Sequence, residues 1–158
     1  MDNKDHPNET NIPPILRSEA VCEKLHFYQK SNALYVITYY FTQNYLSRGD
    51  RTIDQMVQAA RSGKQNIIEG AAAGVTSAET ELRLLNVARA SLKELREDYV
   101  DNLKVRHLPI WDAQHSEFQA LLDYCRLHNL AEDFEPYLPR LTAEKKCQSG
   151  YNFMPHGR

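Results

Sequence analysis

The stretch RTIDQMVQAARSGKQNIIEG, residues 51–70, decides the fold of this chain. Its apolar and small residues recur at intervals of three and four, which places them on one face of a helix packed against another helix. The residues on that face are Ile53, Met56, Ala60, Gly63, Ile67 and Gly70. Because glycine inside a helix costs about 1 kcal/mol relative to alanine, the two glycines predict that a neighbouring helix backbone approaches closely.

Two local signals bound this helix. Thr52 and Gln55 have the capping-box spacing, in which each side chain satisfies the backbone amide of the other residue. Gly74 follows three alanines and is typical of a left-handed stop. The sequence therefore predicts a helix over residues 53–72.

A longer helix follows at once, because Thr76 and Glu79 have the same capping-box spacing. The prediction covers residues 77–104, which would span roughly 40 Å at 1.5 Å per residue. The apolar face of this helix comprises Leu85, Ala88, Leu92, Leu95 and Tyr99, and is widened by Leu82 and Leu103.

Helical patterns also flank this pair. Residues 21–46 are predicted to form an aromatic-rich helix. Because no lysine or arginine lies between Tyr35 and Tyr45, we interpret its rings as core and not as a platform for bases. Asp112 is a candidate cap for a shorter helix over residues 113–128, with Trp111 packed on the bundle. The inward positions of that helix are Phe118, Leu121, Leu122 and Cys125.

Together these patterns predict an all-α fold. The expected architecture is an antiparallel up-and-down helical bundle of three long helices and a shorter C-terminal helix. Residues 1–17 are polar and proline-rich, and are predicted to be a disordered N-terminal arm. Residues 18–130 are predicted to be the four-helix-bundle domain, and residues 131–158 an irregular C-terminal tail.

Composition limits the function. The chain has 19 lysines and arginines against 21 aspartates and glutamates, which argues against nucleic-acid binding driven by overall charge. Cys22, Cys125 and Cys147 have neither metal nor redox spacing, so free thiols in the cytoplasm are expected. No apolar run is long enough to span a membrane, and the N-terminus lacks the regions of a signal peptide.

Motifs that carry chemistry are scarce. The Ser-Gly-Lys at residues 62–64 lacks the preceding glycine of a phosphate-binding loop, and the Glu-x-x-His repeats of a di-metal bundle do not occur. The acidic residues Glu94, Glu97, Asp98 and Asp101 are interpreted as ion pairs and a solvated face. We therefore expect no enzyme, no catalytic residue, no cofactor and no metal site.

The outer stripe of the first helix is rich in amides, which suit a hydrogen-bonded interface. The stripe comprises Gln55, Gln58, Arg61, Ser62, Gln65, Asn66 and Glu69. On the longer helix, Arg89 and Arg96 lie at the edge of the apolar face. They either pair with acids across a helix interface, line a groove or cover the core with their stems. The candidates for contact with another subunit or with nucleic acid are Gln58, Arg61, Lys64, Gln65, Glu69, Arg89, Lys93 and Arg96. A plain solvated surface is the alternative interpretation.

The stretch at residues 51–70, followed by TSAETELRLLNVARASLKELREDY at residues 76–99, resembles a known family. It is similar to the four helix bundle proteins related to those encoded by 23S ribosomal RNA intervening sequences, in the branch called the suffix type. The resemblance covers roughly residues 28–111. It implies a bacterial origin, an antiparallel bundle, a ring-like homopentamer and no known enzymatic activity.

The resemblance also has a limit. Relatives of the suffix type usually carry a long apolar last helix, and the sequence beyond Leu141 contains none. Either residues 113–128 take its place, or the chain is truncated or frameshifted near Ala143.

Two functions are expected in this order. The first is a non-enzymatic, homo-oligomeric scaffold or adaptor. The alternative is an RNA- or DNA-binding accessory protein, because the wider group includes the accessory protein of diversity-generating retroelements, which binds RNA and a reverse transcriptase. Structured RNA or a nucleic-acid enzyme would then be the partner.

Overall fold

The computed structural model describes residues 25–138, and within that range the chain is helical, without strands. The helices are α1 (His26–Tyr45), α2 (Arg51–Ala73), α3 (Ala78–Val105) and α4 (Ser116–Leu127), followed by a 3-10 helix (Glu132–Tyr137). The all-helical prediction is confirmed for this part. The predicted N-terminal arm, Cys22, Cys147 and the tail beyond Leu138 lie outside the described residues.

Helices α2 and α3 pack closely where the glycines predicted it. A Cβ atom added to Gly63 would lie 2.6 Å from Cδ2 of Leu92, and one added to Gly70 would lie 3.4 Å from Cβ of Leu84. The end of α2 therefore lies beside the beginning of α3, and no larger residue fits at Gly63 without displacing Leu92. The close approach predicted from sequence is confirmed.

The core lies where α2 meets α3 and α1. Met56 and Leu95 are its largest apolar members, with exposures of 0% and 1%. The buried residues packed together there are Leu46, Met56, Ala59, Ala60 and Leu95. Because both long helices contribute to one cluster, its packing fixes their relative position.

Most of the predicted core positions are correct. On α2, Met56, Ala60, Gly63, Ile67 and Gly70 are buried, as predicted, whereas Ile53 is only partly buried. On α3, Ala88 and Leu95 are buried, while Leu85, Leu92 and Tyr99 are only partly covered. The prediction that Leu82 widens the core face is wrong, because its exposure is 62% and no described helix covers it.

A polar contact joins α1 to α3. The hydroxyl of Tyr99 donates to Oγ1 of Thr38 at 3.0 Å, and Thr38 is fully buried. The ring of Phe41 lies 5.0 Å from that of Tyr99. Burial raises the pKa of Tyr99 to about 12, against the opposing effect of the Thr38 hydrogen bond.

Removing this hydroxyl has two expected effects. Tyr99→Phe should lower the free energy of unfolding by roughly 0.5–1.5 kcal/mol at neutral pH, because a buried hydrogen bond is lost. At pH values between the ordinary tyrosine pKa of about 10 and the raised pKa of folded Tyr99, the wild type should lose stability, because Tyr99 ionises in the unfolded state and not in the folded state. The variant lacks this hydroxyl and should not show that loss. Urea unfolding at neutral and alkaline pH measures both effects. Tyr39→Phe, at an exposed position, is the matched control. If wild type and Tyr99→Phe lose the same free energy of unfolding at alkaline pH, the raised pKa is not a property of Tyr99.

Both helix starts differ from the predicted capping boxes. The carboxylate of Asp50 accepts from the amide of Thr52 at 2.9 Å, and this hydrogen bond holds the pKa of Asp50 below its ordinary value. Oγ of Ser77 accepts from the amide of Thr80 at 3.2 Å. The caps predicted at Thr52 and Thr76 are therefore wrong, because the extended backbone that a cap needs lies at Asp50 and Ser77.

The left-handed stop predicted at Gly74 is also wrong. Its backbone is right-handed, with φ −58° and ψ −23°, and its amide donates to the carbonyl of Gly70. A Cβ atom at Gly74 would lie 2.5 Å from Oε2 of Glu81. Only the flexible end of the Glu81 side chain would have to move, so neither a positive φ nor a close backbone approach requires glycine at this position.

The cap of α3 can be tested directly. Ser77→Ala should lower the free energy of unfolding by about 1 kcal/mol, because the Thr80 amide loses its side-chain acceptor. Thr76→Ala, the neighbouring substitution, should have a smaller effect, since the Thr76 hydroxyl only donates to the Ala73 carbonyl. Urea unfolding measures the stability of both variants. A larger loss for Thr76→Ala than for Ser77→Ala would indicate that Thr76, and not Ser77, is the cap.

Helix α4 does not extend the bundle as a fourth long helix. It begins at Ser116 and not at Ala113, because Asp112 caps a turn through the Gln114 amide at 2.8 Å. None of its residues is fully buried, and its backbone makes no close approach to α1, α2 or α3. Leu121, predicted to face inward, is 40% exposed. The alternative that residues 113–128 take the place of the missing last helix stays a prediction.

The segment after α3 lies against α1 instead. Nζ of Lys30 donates to the carbonyl of Cys125 at 2.9 Å, and Phe134 of the 3-10 helix is buried. Trp111 stacks on His115 at 4.8 Å and is 41% exposed, so the prediction that it packs on the bundle is wrong. Within residues 25–138, no helix combines the length and the apolarity needed to cross a membrane.

Candidate assembly surface on the two long helices

The outer face of α2 carries four of the predicted contact residues. Gln58, Arg61 and Glu69 are exposed and Gln65 is partly buried. None of the four makes a side-chain hydrogen bond or ion pair with the residues that the structure describes. Their donors and acceptors are therefore available to a partner.

Gln58 also borders an open groove of about 550 Å³ between α1 and α2. The groove is lined by Tyr39, Gln43, Ile53, Asp54, Gln55, Val57 and Gln58. Tyr39, at its edge, is 51% exposed. Small-molecule sites usually enclose most of the ligand, whereas this groove is open along its length. Its shape is better suited to contact with another protein surface.

Lys64 differs from the other predicted residues, because its ammonium group contacts a neighbouring helix. Nζ lies 4.4 Å from the ring centroid of Tyr35 and donates to Oδ1 of Asn32 at 3.4 Å. Both partners belong to α1. Lys64 thus joins α2 to α1 through a cation–π contact and a weak hydrogen bond.

One residue of the predicted outer stripe faces α3. Oγ of Ser62 lies 3.0 Å from Oγ of Ser91, and Nδ2 of Asn66 donates to the Ser62 carbonyl at 2.9 Å within α2. The placement of Ser62 on the outer stripe is therefore wrong. Ser62 lies beside Gly63, where the two backbones are close enough for short polar side chains to meet.

Three exposed cations follow one side of α3, and we call Arg89, Lys93 and Arg96 the basic edge. They recur at intervals of four and three, which keeps them on one side of a helix. Arg89 and Lys93 have no ion pair within the described part of the chain. Arg96 pairs with its neighbour Glu97, and both side chains are at least half exposed.

Three carboxylates follow the opposite side of α3, and we call Glu94, Asp98 and Asp101 the acidic edge. Burial raises the pKa of Asp98, and the charges of Glu94 and Asp101 raise it further. Oδ2 of Asp98 is buried and has no hydrogen-bond partner among the described residues. The sequence interpretation of Glu94, Glu97, Asp98 and Asp101 as ion pairs and a solvated face agrees with the exposed pairs of Glu97 and Asp101. The regular spacing of Glu94, Asp98 and Asp101 is the signal for a continuous edge.

Each edge has an exposed apolar residue in line with it. Leu82, 62% exposed, precedes Arg89 by seven residues, and Val87, 44% exposed, precedes Glu94 by seven. Seven residues are close to two helical turns, so each apolar side chain shares the side of its charged neighbours. Helix–helix interfaces commonly combine apolar residues with charged residues beside them.

The same part of the molecule shows no grouping of three or more His, Cys, Asp or Glu side chains suited to a metal ion. Cys125 is a partly buried free thiol, and burial raises its pKa. The chemically distinctive feature of the described residues is the pair of oppositely charged edges on α3.

No protein-family model, no curated protein and no solved structure matches this chain. The resemblance to the intervening-sequence-related bundle proteins stays a prediction.

Proposed function

We propose that this protein is a non-enzymatic, homo-oligomeric scaffold or adaptor of the cytoplasm, built as an antiparallel helical bundle. The observation that carries the proposal is the exposure of Leu82 and Val87 in the longest helix. Apolar area in water is unfavourable by about 25 cal/mol per Å². A second copy of the chain that covers these residues would remove that cost.

The polar surface supports the same proposal. Gln58, Arg61, Gln65 and Glu69 on α2 retain unused hydrogen-bonding groups, and the basic and acidic edges of α3 supply charges of both signs. Interfaces between subunits combine an apolar centre with a polar rim of this kind. The resemblance found in the sequence favours a ring of five copies.

The apolar contact is tested by paired variants. Leu82→Ser with Val87→Ser should lower the mass measured by light scattering, while circular dichroism shows unchanged helicity. Val75→Ser with Leu127→Ser, at exposures of 74% and 80% away from the middle of α3, should leave the mass unchanged. Equal masses for all three proteins would contradict the role of Leu82 and Val87.

A second candidate function is nucleic-acid binding through the basic edge. Arg89 and Lys93 have no internal ion pair in residues 25–138, so both are available to phosphate groups. Binding of this kind weakens steeply as salt rises, because counterions released from the nucleic acid drive it. We expect it to be weak, since Asp and Glu outnumber Lys and Arg.

A mobility shift with structured RNA at several salt concentrations tests this second function. The triple variant Arg89→Gln, Lys93→Gln, Arg96→Gln should abolish a shift that the wild type shows at low salt. Arg126→Gln on α4 is the control, because its side chain is 71% exposed and lies off α3. A shift that survives high salt, or that survives the triple variant, would contradict binding through the basic edge.

A further inference from the structure

The two charged edges occupy equivalent positions on either side of the buried face of α3. Ala88 and Leu95 mark the centre of that face, with exposures of 2% and 1%. At 3.6 residues per turn, the basic edge lies about 110° to one side of this centre and the acidic edge about 110° to the other. Each edge runs beside the packed face, where a neighbouring helix can reach it.

The charges on both edges remain available within the chain. Arg89, Lys93 and Glu94 form no ion pair with any residue that the structure describes. The pair between Arg96 and Glu97 and the pair between Lys104 and Asp101 are exposed, so each contributes little and can be exchanged for another partner.

The face between the two edges is polar. It carries Asn86, Glu97 and Lys104, all exposed, whereas the exposed apolar residues Leu82 and Val87 lie in line with the edges. A contact centred on that polar face would leave the apolar side chains at its rim. A contact along one edge would place an apolar residue inside the interface.

We propose that copies of the chain associate head to tail, with the basic edge of α3 in one copy against the acidic edge of α3 in the next. The proposal rests on the self-assembly proposed above and specifies the surfaces that meet. Two basic edges, or two acidic edges, carry charges of the same sign and repel each other, so a contact between identical edges is disfavoured. Each copy keeps one edge free for a further neighbour, and repetition of the same rotation closes a ring.

The contact also gives partners to the exposed carboxylates of the acidic edge. These are Glu94 and Asp101, whereas the Oδ2 atom of Asp98 is buried within the chain. A basic edge from the next copy brings guanidinium and ammonium donors to the acidic edge, and charge-assisted hydrogen bonds are about twice as strong as neutral ones. Val87 and Leu82 would then lie in the same interface.

Charge reversal tests the proposal with three variants and a control. The first variant reverses the basic edge (Arg89→Glu, Arg96→Glu), the second reverses the acidic edge (Glu94→Lys, Asp101→Lys), and the third carries all four substitutions. The control, Arg48→Glu with Arg126→Glu, changes the net charge as the first variant does, but at exposed positions off α3. Light scattering after size exclusion gives the mass, and circular dichroism confirms that each variant is folded.

The single-edge variants should each fall to the mass of one chain, 18.3 kDa, because both of their edges now have the same sign. The four-substitution variant and the control should assemble as the wild type does. An equimolar mixture of the two single-edge variants should also assemble. Its members must alternate, so a ring of five copies cannot close without one contact between like edges. The mixture should therefore give assemblies of more than two chains whose number differs from that of the wild type.

Other outcomes overturn the proposal in distinguishable ways. Single-edge variants that assemble like the wild type would show self-assembly through other surfaces, which leaves the proposed function standing. A mixture that stops at two chains would indicate a two-fold contact in place of a head-to-tail one. A wild type that is itself monomeric would overturn self-assembly and this inference together.

Discussion

Leu95→Ala is expected to lower the free energy of unfolding by about 2–5 kcal/mol, the largest effect of any single substitution proposed here. Leu95 is 1% exposed and belongs to the cluster formed with Met56, Ala59 and Ala60. Ala59 and Ala60 have no rotatable side chain with which to fill the space that the leucine leaves. The cost therefore includes a cavity as well as lost burial.

Urea unfolding measures this effect, with all proteins at the same concentration because assembly makes apparent stability depend on concentration. Leu127→Ala is the matched control, since Leu127 is 80% exposed and a surface substitution of this kind changes stability by only about 0.5 kcal/mol. If the two variants unfold at the same urea concentration, Leu95 is not in the core and the packing of α2 on α3 is misassigned.

Gly63→Leu should have the second largest effect, a loss of roughly 1–3 kcal/mol from overpacking. The added Cβ atom alone would lie 2.6 Å from Cδ2 and 2.8 Å from Cγ of Leu92. Leu92 or the whole of α3 must shift to admit a leucine. Because the helices are held together by the neighbouring core, that shift disturbs further contacts.

A double variant sharpens this test. Adding Leu92→Ala should recover part of the stability lost in Gly63→Leu, because the new side chain then has space. Ala72→Leu places the same residue at an exposed site of α2 and should be close to neutral. A neutral Gly63→Leu, or a double variant whose losses simply add, would show that Gly63 and Leu92 are not in contact.

The face of α2 could be predicted because its signal is local. Spacings of three and four place Met56, Ala60 and Gly63 on one side of a helix whatever lies opposite. The caps were harder to place from sequence. Asp50 and Thr52 are both suitable caps for α2, and Thr76 and Ser77 are both suitable caps for α3. Only the backbone conformation decides which of each pair accepts the amide.

The burial pattern of helix α1 was harder to predict than that of α2. Ala33 and Thr38 are both buried, at 2% and 0% exposure, although five residues on a helix differ in direction by roughly 140°. The bundle covers the side of Thr38, and α1 also packs against the 3-10 helix Glu132–Tyr137. A helix covered on two sides has no single apolar face for a sequence pattern to reveal.

The candidate surface was predictable in part. The basic edge was named from sequence, because Arg89 and Arg96 flank apolar residues. The acidic edge and the exposure of Leu82 were not, since both depend on which side of α3 meets α2 and on how much of α3 its neighbours leave open. Lys64 was grouped with the surface cations because no sequence pattern showed Tyr35 beneath it.

The mass of the wild-type protein in solution tests the central claim most directly. Light scattering after size exclusion, repeated over a range of loading concentrations, should give one value that is a whole multiple of 18.3 kDa greater than one, with five copies favoured. A mass of 18.3 kDa at every concentration would contradict self-assembly. Polydisperse aggregates without a defined mass would contradict a closed ring.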